Sequence, residues 1–477
     1  MTGKHLQMVE ELNFLLLEGI EVATKEGSTR IYFTLGLLLG DNEALNNASG
    51  FMEDPNATIY CRLCKMRKQE NQKNCPLRDE FMRTPQQYVT DGFQNQKQTG
   101  VKENSIWNLV LVFHVVKNFC QDIAHDLLEG VCKYGMQHIL YYLICSSNKI
   151  LSLDELNAKL KSFNYEKNGF SNRPPLLRYD EINKKKKLHM SESEMHTFIL
   201  IFPMLVEDIV EGGINIENEI WQYFSVLRQI MDICFAKSLR TELIDILDSL
   251  VNQHHNLYLK LFNDPLKLKF HNMKHYSLVI KMSGPLSHLN LLRFESKHRE
   301  LKAIAISTTS RINPCHTIAV KEQLRLCHCL LGKHGLPPKF ELGHGYNLEC
   351  ASLSTHFNIT QDALSIDKFS GPWLDVKWVD INGIDYNIGS VVVLDVNPDG
   401  FLEFGKILNI LANEDQHVLF IYEKLVAQSF NEEIHAYEIV NSNQITFSLA
   451  ENLLSPFLAI HHYLSDGRDI VSLRHAV

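Results

Sequence analysis

The sequence predicts a chain of class α/β plus α that ends in a small β-barrel, and three observations predict it. The N-terminal fifty residues hold one amphipathic helical pattern followed by one nearly uninterrupted apolar run, Ile31-Tyr-Phe-Thr-Leu-Gly-Leu-Leu-Leu, short enough for a buried strand. From Asn104 to about Phe262 the apolar residues recur mostly at helical spacing. From Val376 onward short β-rich segments alternate with turn signals, a spacing that suits a small closed sheet, and an SH3-like one is expected.

Taken in order, Leu6, Val9, Leu12, Leu15, Leu16 and Ile20 lie on one face of a helix over residues 5–20. The apolar run then leads to Gly40-Asp41-Asn42, which places Asp41 where a core strand exits, a common home for site residues in open α/β sheets. These elements make a first region, 1–50. Residues 51–103 are polar, carry Cys61-x-x-Cys64 and Cys75, and read as an irregular insert organised by a metal. Residues 104–310 form the helical region, with helices at Ile123–Leu143, Leu153–Phe163, Glu192–Val210, Ile220–Phe235, Leu243–Phe262 and Ser287–Ile306. Arg173-Pro174-Pro175 and Gly212-Gly213 mark breaks. A linker, 311–370, precedes the β-rich region, 371–477, whose strands include Ser390–Asp395, Phe404–Leu411, His417–Tyr422 and Ile434–Val440. Asn397-Pro-Asp-Gly400 and Asn413-Glu-Asp415 supply turns between them.

Composition narrows the function classes. The 477 residues are 45% hydrophobic, enough for more than one core, and the eleven cysteines show no disulfide-framework spacing, which points to reduced thiols and a metal site. No apolar stretch approaches the length needed to cross a bilayer, so an intracellular soluble protein with no membrane partner is expected. A net charge of -9 is unusual for a protein that binds nucleic acid, so any DNA contact must be local. The two basic stretches are 62–73, with Arg62, Lys65, Arg67, Lys68 and Lys73, and the run Lys184 to Lys187, which reads first as a solvated loop.

Two pairs carry metal-ligand spacing. Cys61-x-x-Cys64 can present two thiolates to one tetrahedral zinc from a tight turn, and His271-x-x-x-His275 has the spacing of the histidine half of such a set. Asp41 lies twenty residues before Cys61 and Glu295 twenty residues after His275. Asp122 and His125, one helical turn apart, can share a face, and they read equally as a helix N-terminal Asp with a hydrogen-bonded His. Cys75, Cys120 and Cys132 read as ordinary thiols.

This order of carboxylate, cysteine pair, helical stretch, histidine pair and carboxylate resembles the catalytic domain of eukaryotic DDE transposases and the V(D)J recombinase catalytic subunit. The strings Leu38-Leu-Gly-Asp41-Asn42, Tyr60-Cys-Arg-Leu-Cys64, Asp122-Ile-Ala-His125-Asp-Leu-Leu-Glu-Gly-Val131 and Arg293-Phe-Glu295-Ser-Lys-His298 are similar to the CACTA, or En/Spm-like, superfamily. The resemblance covers residues 31–305. It implies an RNase H-like core with a large helical insertion and a structural Zn2+ on Cys61, Cys64, His271 and His275. It further implies Asp41 and Glu295 as the second and third acidic residues of a Mg2+ site, with Asp122 and His125 close by. A second assignment puts Asp41 first and Asp122 second, but it needs a three-strand meander after Asp41 that Glu43–Gly50 does not resemble.

Two Mg2+ ions in such a site, roughly 3.5 to 4 Å apart, activate the attacking oxygen and stabilise the leaving one. The implied partner is DNA and the implied location nuclear, otherwise cytoplasmic. No aspartate precedes Asp41, so the resemblance implies an N-terminally truncated, incomplete core that is inactive in strand transfer. The alternative is an interaction protein in which the transposase scaffold and the barrel serve as surfaces for chromatin or a protein partner.

Overall fold

In the computed structural model the described residues are 3–24, 27–54, 56–146, 150–212, 218–309, 311–331, 340–348 and 373–477. The expected opening helix is present as Gly3–Leu17. Its Val9 and Leu12 pack with Leu35 and Leu38 on a core of Phe51, Tyr88, Val101, Val110, Phe113, Val115 and Val116. The carboxamide of Asn13 fixes its end, donating to Leu109 O at 3.0 Å and accepting from Leu111 N–H at 2.8 Å.

The strand expected over residues 31–39 is not formed. Instead Ile20–Thr24 and Gly27–Ile31 make an antiparallel hairpin, and from Tyr32 to Asp41 the backbone leaves the ladder. An apolar run becomes a strand only when neighbours on its edges satisfy its N–H and C=O groups. Among the described residues no strand pairs with 32–41. Its carbonyls are met by side chains, Gly36 O by Asn118 Nδ2 at 3.0 Å and Leu38 O by Cys120 Sγ at 3.0 Å. Tyr32 and Phe33 consequently stand exposed rather than buried.

By its contacts the chain divides into two compact units, the first Met1–Tyr142, Lys184–Met195 and Gln222–Arg293, the second Leu143–Asn183, His196–Trp221 and Phe294–Val477. In the first, residues 49–105 fold as an irregular stretch stitched by buried polar groups. The Tyr88 hydroxyl lies 2.7 Å from Ser49 O and 3.0 Å from Glu103 O and accepts Ser105 N–H at 3.0 Å. That close approach requires Gly50, at φ +72, because a Cβ there would sit 2.1 Å from Glu103 O.

The helices match the periodicity closely. A continuous helix runs from Ala124 through Leu140 and begins with a π-helical segment, Ala124–Cys132. The helix Thr241–Phe262 buries Ile244, Leu247, Leu250, Val251, His254, His255 and Tyr258, the i, i+3, i+4, i+7 stripe that its sequence carries. His254 is fully buried, stacked on Tyr223 at 4.6 Å and near Phe270 at 5.9 Å, with neither ring nitrogen bonded within the described residues.

Burial holds His254 well below the usual histidine range and holds His255 and His138 at about 4, so all three are neutral at pH 7. In the unfolded chain they take up protons near pH 6.5, so stability falls with pH from 6.5 toward 4. His255 alone contributes on the order of 3 kcal/mol to that loss. Asp126, whose carboxyl burial raises to about 6, acts in the opposite direction, but one group does not offset three. The melting temperature of the first unit should therefore drop between pH 6.5 and 4, followed by circular dichroism. His254→Phe, which keeps the ring stack without a titrating group, should flatten that fall; an equally steep fall in the variant would contradict the assignment.

In the second unit the expected linker contains a helix, Pro314–Leu331, with no buried residue, and two short strands, Phe340–Leu342 and Gly345–Leu348. Most of the loop expected at Gly332–Gly345 lies outside the described residues. Beyond it the antiparallel sheet closes on itself. Strands Val418–Asn431, Ala436–Leu449, Asp469–Ser472, Ser455–Tyr463, Val391–Val396 and Leu402–Asn413 pair in that order, and the last pairs again with the first. Trp373–Val376 and Gly345–Leu348 extend the sheet from Leu402–Asn413.

Along Val391-Val392-Val393 successive side chains enter opposite faces, Val392 joining Ile407, Ile410 and Phe420, Val391 and Val393 joining Phe404, Leu425 and Val471. Both faces are buried, which explains an apolar run with no alternation. The predicted turn at 397–400 is present, with Gly400 at φ +86 and Asn397 Oδ1 accepting from Asp399 N–H at 3.0 Å and Phe401 N–H at 2.8 Å.

Candidate metal centre

The cysteine pair sits on a tight knuckle held by short β-like pairing. Lys65 N–H donates to Phe81 O at 2.8 Å, Arg83 N–H donates to Leu63 O at 3.0 Å, and Cys64 bridges to Met82. Arg83 clamps the knuckle from behind, Nε donating to Cys61 O at 3.2 Å and Nη2 to Thr99 O at 2.8 Å, with its guanidinium 4.9 Å from the Phe51 ring centre. The histidines come from a different part of the first unit. His271 lies on the helix Leu268–Met273, and His275 precedes Tyr276–Ser283.

The two pairs meet. Cys61 Sγ is 3.4 Å from His275 Nε2, Cys64 Sγ is 3.3 Å from His271 Nε2, and the two Nε2 atoms are 3.2 Å apart. All four ligand atoms lie within 4.8 Å of one another, and all four residues are buried. A zinc tetrahedron with bonds of about 2.3 Å to sulfur and about 2.05 Å to nitrogen has S–N edges of about 3.5 Å and an N–N edge of about 3.3 Å. The three separations given match those edges to within about 0.2 Å, as expected of a closed, four-ligand structural site.

The protonation chemistry fits as well. Burial would raise the Cys61 thiol, but its hydrogen bond with Cys64 and the imidazoles of His275 and His271 outweigh this and hold it well below the usual thiol range. Leu63 N–H also donates to Cys61 Sγ at 3.3 Å. Cys64, buried beside Cys61, is pushed up. Burial also lowers His271, which favours the neutral imidazole that a metal binds. The residues present thus fit Zn2+. Cys75 is not a ligand; its carbonyl accepts from Lys274 Nζ at 2.8 Å.

Asp41 and Asp122 make local hydrogen bonds. Asp41 does not end a strand. Its carboxylate caps the helix Asn42–Ala48, accepting from Ala44 N–H at 2.7 Å. Asp122 is buried; its Oδ1 accepts from Ala124 N–H at 3.1 Å and Leu291 N–H at 3.3 Å, and its Oδ2 accepts from His125 N–H at 3.4 Å and meets the His125 ring at Nδ1. Glu295 stands on the helix Leu292–Ser307.

Sequence reasoning missed a buried polar network that ties the centre together. Asp126 Oδ1 accepts from Asn42 Nδ2 at 2.7 Å and Asn272 Nδ2 at 2.9 Å, and Arg62 Nη1 donates to Asn42 Oδ1 at 3.0 Å. Arg62 also reaches Cys120 O at 2.7 Å and Gln121 Oε1 at 3.0 Å. Arg62 is thus a buried strut and not a member of a DNA-facing patch. Lys65 pairs with Asp91 at 2.7 Å, which leaves Arg67 and Lys73 as the exposed cations of that stretch. The Lys184 to Lys187 run is exposed, as a solvated loop would be. The available signal for the network was Asp126 itself, four residues after Asp122 in a string otherwise rich in leucine.

Among the described residues no helix is long and apolar enough to cross a membrane. The sequence matches no protein-family model and no curated protein.

Proposed function

We propose that this chain is a transposon-derived protein of the DDE transposase kind, whose zinc-organised first unit binds DNA in the nucleus and does not, by itself, cut or join it. The observation that carries the reading is the Cys61, Cys64, His271 and His275 cluster. The strings that resemble the CACTA superfamily bracket its two halves, and those halves come together with ligand spacing across more than two hundred residues. In this reading the zinc holds the helical insertion together, and the closed sheet of the second unit is an SH3-like barrel. The RNase H-like likeness loses its strand at 31–39, and Asp41 serves as a helix cap, so no Mg2+ is assigned to Asp41 here.

The test is direct. The purified chain, loaded with zinc, is mixed with duplex DNA carrying candidate transposon ends, in Mg2+ and in Mn2+. Retained DNA binding, salt-dependent and lost on chelation, with no nicked or joined product, is expected. Divalent-metal-dependent cleavage abolished by Glu295→Gln would overturn the inactive assignment, and absence of any DNA binding would remove DNA as the partner.

One observation favours a second reading, an interaction module. Leu6, Phe14, Leu17, Ile20, Ile31, Tyr32 and Phe33, close together in the helix, hairpin and following segment, are all exposed, more apolar surface than isolated exposed side chains explain. Charged substitutions at Phe14 and Tyr32 that remove a protein partner while sparing DNA binding would support it.

A further inference from the structure

A pocket of about 430 Å3 opens in the first unit between the segment 56–60, the helix Lys68–Gln72, Tyr134 and the segment 265–269. Its size suits a small organic ligand. Three lysines line it, and like charges gathered in one concavity repel unless an anion joins them. Only Lys267 has an acid of its own, Asp264 at 2.6 Å, and its ammonium also lies 4.1 Å from the Tyr134 ring centre. Lys68 meets a neutral oxygen, Asn56 Oδ1, at 2.9 Å. Among the described residues neither Lys68 nor Lys269 has an acidic partner within ion-pair distance, and the acids that act on Lys269 from further off are Asp126 and Glu129.

The rest of the wall asks for more than a bare anion. Tyr60 and Tyr134 provide aromatic surface beside the apolar Ala57, Leu266 and Leu268. The ligand that meets both demands carries a phosphate and a flat apolar body.

We infer that this pocket binds one nucleotide unit, its phosphate at Lys68 and Lys269 and its base against Tyr60. The unit is either a free mononucleotide or an unpaired nucleotide of a DNA strand. The inference rests on the pocket's own residues and not on the transposase reading.

The experiment uses the zinc-loaded full chain and titration calorimetry with deoxyadenosine monophosphate, deoxyadenosine, inorganic phosphate and a single-stranded octamer of deoxyadenosine. Saturable binding of the monophosphate, at least tenfold tighter than either deoxyadenosine or inorganic phosphate, is expected. The double variant Lys68→Ala, Lys269→Gln should weaken the monophosphate at least tenfold and leave deoxyadenosine unchanged, with zinc content and melting temperature preserved. Where the double variant loses zinc, the single Lys68→Ala, on the outer side of a short helix, carries the same test. An octamer that binds more tightly and competes with the monophosphate identifies a strand nucleotide, and the reverse order identifies a free one. Monophosphate binding no tighter than inorganic phosphate, or unaltered by the lysine substitutions, overturns the inference. Duplex DNA binding measured alongside separates that failure from failure of the transposase reading.

Discussion

Cys64→Ser should lower the melting temperature of the first unit by about 10–20 °C and abolish its bound zinc. The reasoning starts from chain entropy. Cys61 and His275 are 214 residues apart, Cys64 and His271 are 207 apart, and one zinc would join all four. A cross-link closing a loop of that length removes denatured-state entropy worth about 5 kcal/mol at 25 °C. Loss of the ion also leaves two buried thiols and two buried imidazoles crowded together, and each His Nδ1 already lacks a protein partner among the described residues. At roughly 2–4 °C per kcal/mol for a domain of this size, that gives the stated fall. Metal analysis should find one zinc per chain in the parent and none in the variant, and a strong chelator should reproduce the variant's melting curve. Cys75→Ser, whose thiol is outside the cluster, is the control and should melt with the parent. A Cys64→Ser protein that keeps its zinc and melts within about 2 °C of the parent would refute the centre.

What the sequence revealed and what it hid divide along physical lines. The ligands were legible because tetrahedral zinc imposes short, fixed spacings within each half, and Cys-x-x-Cys and His-x-x-x-His carry them in plain view. The long helices were legible because each buries one stripe, as the residues of Thr241–Phe262 show. The strand at 31–39 misled because an apolar run states only that burial is favourable; whether it pairs depends on edges supplied by other segments, and here Asn118 and Cys120 side chains take that place. Asp41 misled for a related reason. A carboxylate in the sequence does not reveal its partner, and Asp41 caps its own helix while Asp122 gathers three backbone N–H groups. Arg62 looked like part of a basic patch because nothing local shows that Cys120 O and Gln121 lie opposite it. In the second unit, the closure of the sheet rests on the return of Leu402–Asn413 to Val418–Asn431, a pairing that two strands joined by Asn413-Glu-Asp415 already suggest.

Asp122→Ala should cost the first unit on the order of 3 to 5 kcal/mol, a larger loss than removal of a surface carboxylate would bring. Asp122 is 2% exposed, and its two oxygens serve Ala124 N–H, His125 N–H, the His125 ring and Leu291 N–H. The first two bonds start the π-helical segment Ala124–Cys132, and the bond to Leu291 ties that start to a segment 169 residues away. Alanine leaves those buried donors with no acceptor, and each such loss is worth about 1–3 kcal/mol. Asp122→Asn keeps one carbonyl oxygen of the same shape and should cost less than half as much, with the His125 contact weakened because the amide carries no charge. Urea unfolding of the three proteins measures the difference directly as a shift in midpoint at unchanged slope. Equal midpoints for the parent and both variants would mean that the pair contributes nothing to folding, and would return Asp122 and His125 to the metal-facing role that their resemblance to the transposases implies.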